Sequence, residues 1–145
     1  MREIKNKHIG CYGIIIKDEK IVLIKKACGG YLGKLDLPGG GMEHGEKKEE
    51  TLKREIMEEA GLIVQSYKLL DVTTNTFKWQ MKDNLIENLH HIGILFLVEA
   101  SGSLKTDPDG IDSNGAYWYE IKKLKKEDLT PFTIYALEKL NYKLK

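Results

Sequence analysis

Three glutamates, Glu55, Glu58 and Glu59, crowd the segment Arg54-Glu55-Ile56-Met57-Glu58-Glu59-Ala60-Gly61. In a helix they sit one turn apart, where like charges repel, and near the C-terminal end, where the macrodipole is already negative. Each placement costs a few tenths of a kcal/mol, up to about 1. A chain that keeps both penalties is suited to hold a cation there. Oxygen-only ligands favour Mg²⁺, Mn²⁺ or Ca²⁺ over zinc. Taken alone, three glutamates are better read as a solvated acidic face.

The elements that must position these carboxylates can be read on either side of them. Residues 47–60 contain no Gly or Pro and are rich in Glu, Lys, Leu and Met, which predicts a helix. Gly61 falls where a left-handed residue ends it. At about 100° per residue, Leu52, Ile56 and Ala60 make an apolar stripe, with the three glutamates on the stripe beside it. The acidic stripe therefore borders the buried face. Arg54 lies beside Glu55, with Glu50 one turn earlier as a partner. Upstream, Leu37-Pro38-Gly39-Gly40-Gly41 forms a tight loop almost free of side chains. Glycine lets backbone approach a ligand closely. Amides near a helix N-terminus suit phosphate, and a carbonyl of Gly39 or Gly40 is a hard-metal donor.

The spacing of the whole stretch is specific. Gly40 is followed by residues 41–45, Glu46, residues 47–53, then Arg54-Glu55-Ile56-Met57-Glu58-Glu59-Ala60-Gly61-Leu62. This resembles the box of the Nudix (MutT-like) hydrolase family, with every fixed position filled. The flanking Leu37-Pro38-Gly39-Gly40 and Met42-Glu43-His44-Gly45-Glu46 are similar to the family's usual surroundings.

The resemblance implies an α/β fold, the Nudix-type α/β/α sandwich with a mixed β-sheet between helices. It implies a pyrophosphohydrolase acting on phosphoric anhydrides, with Mg²⁺ as cofactor and Mn²⁺ as an alternative. Glu55, Glu58 and Glu59, with the Gly40 carbonyl, would hold the metal. Arg54, with Glu46, would orient the acidic cluster, and Gly39, Gly40 and His44 would contact substrate. The segment ahead of a residue like Trp118 often supplies a further carboxylate in the family, usually a glutamate. Here the loop offers only Asp107, Asp109 and Asp112, and Asp112 is favoured as general base. No frame of that loop fits an EF-hand, and its residues are ordinary turn formers.

The implied substrate is a nucleoside diphosphate linked to another group. A nucleoside triphosphate is marginally favoured, with ADP-ribose or another nucleoside diphosphate derivative next. Residues 76–80, Thr-Phe-Lys-Trp-Gln, carry neither the proline nor the tyrosine that marks some subfamilies, and Leu35 stands where a tryptophan is frequent. A nucleotide-binding regulatory module without turnover is the alternative class.

Composition agrees with a folded domain. The 145 residues are 31% charged and 41% hydrophobic, which suits one globular domain over residues 1–145. A formal net charge of +1 argues against a broad nucleic-acid surface. Cys11 and Cys28 form no CxxC pair or zinc spacing, and Cys11 belongs to the core. The N-terminus has no apolar signal region, and Ile94–Val98 is too short to span a bilayer, so a cytoplasmic protein without membrane partners is expected. A homodimer is compatible with all of this.

β-rich runs are predicted at 8–16 and 20–26 around a Lys17-Asp18-Glu19 hairpin, near 64–80 and 89–99, and at 116–121, with a terminal helix at about 131–143. Of His90 and His91, one should face the core and the other solvent. Tyr31, Phe77, Trp79 and Tyr117 are candidates for base stacking, though such residues are more often simply packed aromatics. The lysines of 122–126 form a solvated face.

Overall fold

Along the strand Lys20–Lys26, Ile21 and Leu23 point one way, Val22 and Ile24 the other, and all four are sealed from solvent. A strand buried on both faces needs a cover on each side. The computed structural model describes residues 1–106 and 113–145. Its order is β1 (Arg2–Ile14), β2 (Ile16–Lys17), β3 (Lys20–Lys26), β4 (Leu35–Asp36), β5 (Gly39–Gly41), α1 (Lys48–Ala60), β6 (Ile63–Lys82), β7 (Leu85–Ser101), β8 (Ser113–Glu120) and α2 (Pro131–Lys139).

Two sheets lie between the two helices. One is mixed, in the order β5-β1-β7-β6, with β1 parallel to β7 and its other pairs antiparallel. In the other, β3 pairs antiparallel with β2, β4 and β8. Residues of one parity, Cys11, Ile15, Val22, Ile24 and Phe96, pack with Leu52, Ile56 and Ala60 of α1. Those of the other, Tyr12, Ile14, Ile21, Leu23 and Leu95, pack with Phe132, Ala136 and Leu137 of α2. The expected sandwich is present, and its sheet layer is divided in two.

The local signals act as expected at several ends. The hairpin between β2 and β3 turns through Asp18 and Glu19, both left-handed (φ 53° and 61°). Gly61 ends α1 at φ 72°, and its N–H donates to the Met57 carbonyl. Pro131 opens α2 after Thr130. The helix stops at Lys139, short of the expected 143, and the chain turns at Asn141 so that Tyr142 and Leu144 pack on the α2 core.

Three strands outrun their apolar patterns. β1 begins at Arg2, and β6 and β7 extend to Lys82 and back to Leu85. Residues 2–7, polar apart from Ile4, carry no alternation of their own. They are strand because β7 templates them, from Arg2 opposite Leu85 to Lys7 opposite His90. The Asn6 amide donates to Glu87 at 2.6 Å, and Lys78 pairs with Glu3 at 3.1 Å. This three-stranded extension projects beyond the helix-covered core and becomes one wall of a cleft. No helix among the described residues is long and apolar enough to cross a membrane.

Candidate active site

The cleft, about 430 Å³, is bounded by the extension, by the 27–34 loop after β3, by the glycines of β5 and by the end of α1. Its acidic end is built on α1. Leu52, Ile56 and Ala60 are fully buried, which turns the neighbouring stripe toward β5. Glu55 and Glu59 are half-buried there and Glu58 is exposed. The glycines make this approach possible. A Cβ on Gly40 would lie 2.6 Å from the Glu55 carboxylate, and one on Gly39 would lie 2.1 Å from the Cys11 carbonyl oxygen.

Arg54 organises the cluster. Its Nε and Nη2 donate to the two oxygens of Glu46 at 2.8 and 2.9 Å, a bidentate fork. Nη1 donates to Glu55 at 2.9 Å, and Nη2 also reaches the Gly41 carbonyl at 3.1 Å. Glu58 lies farther off, 3.4 Å from Nη1. Glu46 is held in turn by the Thr51 hydroxyl and the Glu43 amide, both at 2.8 Å. The Arg54 guanidinium, with these donors, holds the Glu46 carboxyl down to about 2. Glu50 is not the partner of Arg54, because its carboxylate accepts the Lys47 amide at the start of α1. A helix N-terminus offers unpaired amides, and Glu50 satisfies one of them.

Glu59 is different. Its carboxylate accepts one bond, from the Gly39 amide at 3.2 Å, and makes no ion pair among the described residues. Burial pushes its pKa up to about 8, against the opposing pull of Lys26 and the Gly39 amide. A half-buried carboxylate without an ion pair among the described residues suits a cation. With Glu55, Glu58 and the β5 carbonyls the donors are all oxygens, which fits a hard divalent ion. Among the described residues no three such side chains yet converge at ligating distance: Glu55 is turned to Arg54, Glu59 to Gly39, and Glu58 outward.

The opposite end is aromatic. Tyr31, Phe77 and Trp79 line it, with Tyr31 and Phe77 4.8 Å apart between centroids. Asn75 donates to the Tyr31 hydroxyl at 2.8 Å, and Trp79 Nε1 donates to Glu87 at 2.7 Å, which fixes both rings. Tyr117 is elsewhere, exposed, with its hydroxyl on the Thr106 carbonyl.

Of the two strand histidines, His90 is exposed and His91 buried on the floor, within 2.7 Å of the Tyr12 hydroxyl. Burial, with the charges of His8 and Lys26, pushes His91 down to about 4. The unfolded chain takes up this proton near pH 6.5 and the native protein only near 4. The stability this neutral ring contributes is thus complete above about 6.5 and falls by about 3 kcal/mol as pH drops through that window. Melting temperature should decline from about pH 7 to 4.5 more steeply for the wild type than for His91→Gln, whose amide still pairs with Tyr12. Parallel slopes would remove His91 from the account.

Among the described residues, one expected substrate contact, His44, does not line the cleft. His44 is exposed in the turn before α1, on the outer side of Gly41, where Lys7 and Ile9 are its neighbours. The turn serves Glu46 and Arg54, and it directs its own tip to solvent. Asp112, with Asp107 and Asp109, lies outside the described residues. Conversely, Lys26, Asp36, His8 and Glu87 line the cleft without any sequence signal. Asp36 is buried and accepts the Thr130 hydroxyl at 2.7 Å and the Leu37 amide at 2.9 Å.

A family model described as "NUDIX domain" matches residues 7–140, nearly the whole chain and all of this site's acidic end. The chain belongs to the NUDIX family. Its likeness to individual members is spread across several names. It is 37% identical over 115 residues to an ADP-ribose pyrophosphatase of Methanocaldococcus jannaschii, a match covering 79% of this chain and 62% of that protein. It is 28% identical over 130 residues to the 8-oxo-dGTP diphosphatase of Escherichia coli, covering 87% and 91%. Among solved structures, a MutT NUDIX hydrolase from Burkholderia pseudomallei superposes with a TM-score of 0.77 at 26% identity, covering 93% of this chain and 98% of that one. The chain thus spans about three-fifths of the M. jannaschii relative's length, and it spans 26% of a putative nudix hydrolase from Caenorhabditis elegans.

Proposed function

We propose that this NUDIX protein hydrolyses the pyrophosphate bond of a nucleoside diphosphate derivative, with a divalent cation, Mg²⁺ in the first place, held by Glu55, Glu58, Glu59 and the Gly40 carbonyl. The observation that carries this reading is one cleft with Glu59 half-buried and without an ion pair among the described residues at one end and fixed aromatic rings at the other. A bound divalent cation supplies Lewis-acid polarisation of the phosphoryl oxygens and eases deprotonation of a water. The chain's own residues do the rest. Tyr31, Phe77 and Trp79 offer faces to a base. The side-chain-free edge at Gly39 and Gly40 lets the anhydride approach the carboxylates. Arg54 keeps Glu55 at that edge, and Glu46 keeps Arg54 in place. In the reaction a water oxygen forms a new P–O bond, the bridging P–O bond breaks, and a nucleoside monophosphate leaves with the second phosphate-bearing product.

The E. coli relative's name fits a nucleoside triphosphate, and the M. jannaschii relative's name favours ADP-ribose as a second reading. A panel containing dGTP, 8-oxo-dGTP, 8-oxo-dGDP, ADP-ribose and ATP, assayed with Mg²⁺ and again with EDTA, should give Mg²⁺-dependent release of a monophosphate from at least one member. No hydrolysis of any anhydride would overturn the proposal.

A further inference from the structure

Lys26 is the cationic side chain that the mechanism above leaves unused. It sits at the end of β3, where the ladder to β8 slips register between Ile24 and Lys26, and it lines the cleft. Its backbone is clamped at the neck of the 27–34 loop: its amide donates to the Lys34 carbonyl and its carbonyl accepts the Gly33 amide, both at 2.9 Å. Its charge is felt by His8 and His91 on the floor, by Asp36, and by Glu59 at the acidic end. The ammonium therefore lies between the carboxylate and aromatic ends. Among the described residues it makes no ion pair and no side-chain hydrogen bond, although the cleft contains several carboxylates. A half-enclosed ammonium without a partner is a poor structural element, because it has given up part of its hydration for no bond. It is well placed to meet an anion brought by a ligand.

We infer that Lys26 binds the phosphoryl group joined to the nucleoside, acting as a positioning residue between the base and the metal-bound end of the anhydride. This rests on the cleft being the nucleotide site proposed above. A nucleoside held against Tyr31, Phe77 and Trp79 carries its first phosphate toward Gly39, Gly40 and Glu59, across the space that Lys26 faces. Lysine serves there as a point charge on a flexible stem and makes no demand for bidentate geometry. It would hold the nucleotide product as well as the substrate, since that phosphate remains on the nucleoside.

Product binding tests this without turnover. Calorimetric titrations with AMP and GMP, and with adenosine and guanosine, would compare the wild type with Lys26→Met, Lys26→Arg and Lys25→Met. Lys25 is the exposed neighbour and controls for net charge. Lys26→Met should weaken AMP or GMP by about 10- to 50-fold, the scale of one lost charge-assisted bond, and leave nucleoside binding within about twofold. Lys26→Arg should stay within about threefold of wild type, and Lys25→Met should match it. For whichever anhydride is hydrolysed, Lys26→Met should raise KM more than it lowers kcat. Thermal melts of each variant identify any that misfold, and Lys26→Arg keeps the comparison intact. Monophosphate affinity unchanged in Lys26→Met would overturn this inference alone. Failure of the wild type to bind any monophosphate would overturn it together with the nucleotide reading of the cleft.

Discussion

Glu59→Gln should lower kcat at saturating substrate and Mg²⁺ by about 10²–10³-fold, the scale on which a single preorganised electrostatic group acts. The amide keeps the shape and removes the charge that the cleft leaves without a counter-ion. A second readout separates metal binding from folding. In EDTA the variant should melt at or above the wild type, because a half-buried carboxylate without a counter-ion is unfavourable in the apo protein. Added Mg²⁺ should raise the wild-type melting temperature more than the variant's, since a ligand that binds only the native state stabilises it. Glu58, exposed and loosely tied to Arg54, should show a similar loss of turnover on Glu58→Gln with no change in apo stability. Near-normal Mg²⁺-dependent turnover in both variants would sink the assignment of the acidic end.

Arg54→Lys should reduce activity by about 10- to 100-fold, the range seen when a group that orients metal ligands is lost. The lysine keeps the charge but cannot reproduce the fork on Glu46 while also reaching Glu55 and the Gly41 carbonyl. The network is partly buried, so Arg54→Ala, which leaves Glu46 and Glu55 facing each other, should cost about 2 kcal/mol. At this chain length that corresponds to a fall of several degrees, about 4–8 °C, in melting temperature. The loss in Arg54→Lys should fall on kcat more than on the affinity for AMP or GMP, which distinguishes it from Lys26→Met. Full activity with an unchanged melt in Arg54→Lys would refute the orienting role.

The acidic end was legible because it is local. Glu46, Arg54, Glu55, Glu58 and Glu59 lie on one helix and the turn before it, so helical spacing and the Gly39-Gly40 loop already place them together. The helix stop at Gly61, the Asp18-Glu19 turn, the burial of Cys11 and the opposite exposure of His90 and His91 are local in the same sense, although which histidine turns inward is not. The other end of the cleft depends on pairings between distant segments. Asn6 lies on a stretch that is strand only because β7 runs beside it, so it shows no alternation in the sequence. Lys26 reaches the cleft through a register slip in the β3–β8 ladder, which no simple period-two pattern contains. Asp36 is buried because Thr130, at the start of α2, donates to it. Helical spacing alone points Arg54 to Glu50, whereas the Lys47 amide takes that carboxylate and Glu46 offers the better fork. His44 has the right neighbours in sequence, but the turn that carries it faces outward.

The parallel pairing of β1 with β7 also sets when this site can exist during folding. β1 is the first strand of the chain and β7 one of the last, yet they lie side by side along the full length of β1. Closing so long a loop before any of its contacts form costs entropy, so this pairing belongs to the late and slow part of folding, which places the domain among the slower mixed α/β folders. On a ribosome the box helix and its glycine loop emerge complete while the floor beneath them is still missing. The carboxylates of the acidic end are thus assembled early by local structure, and the aromatic wall opposite them arrives only when β7 has been synthesised and docked. A nascent chain passes through a stage that displays the acidic end and has no cleft in which to use it.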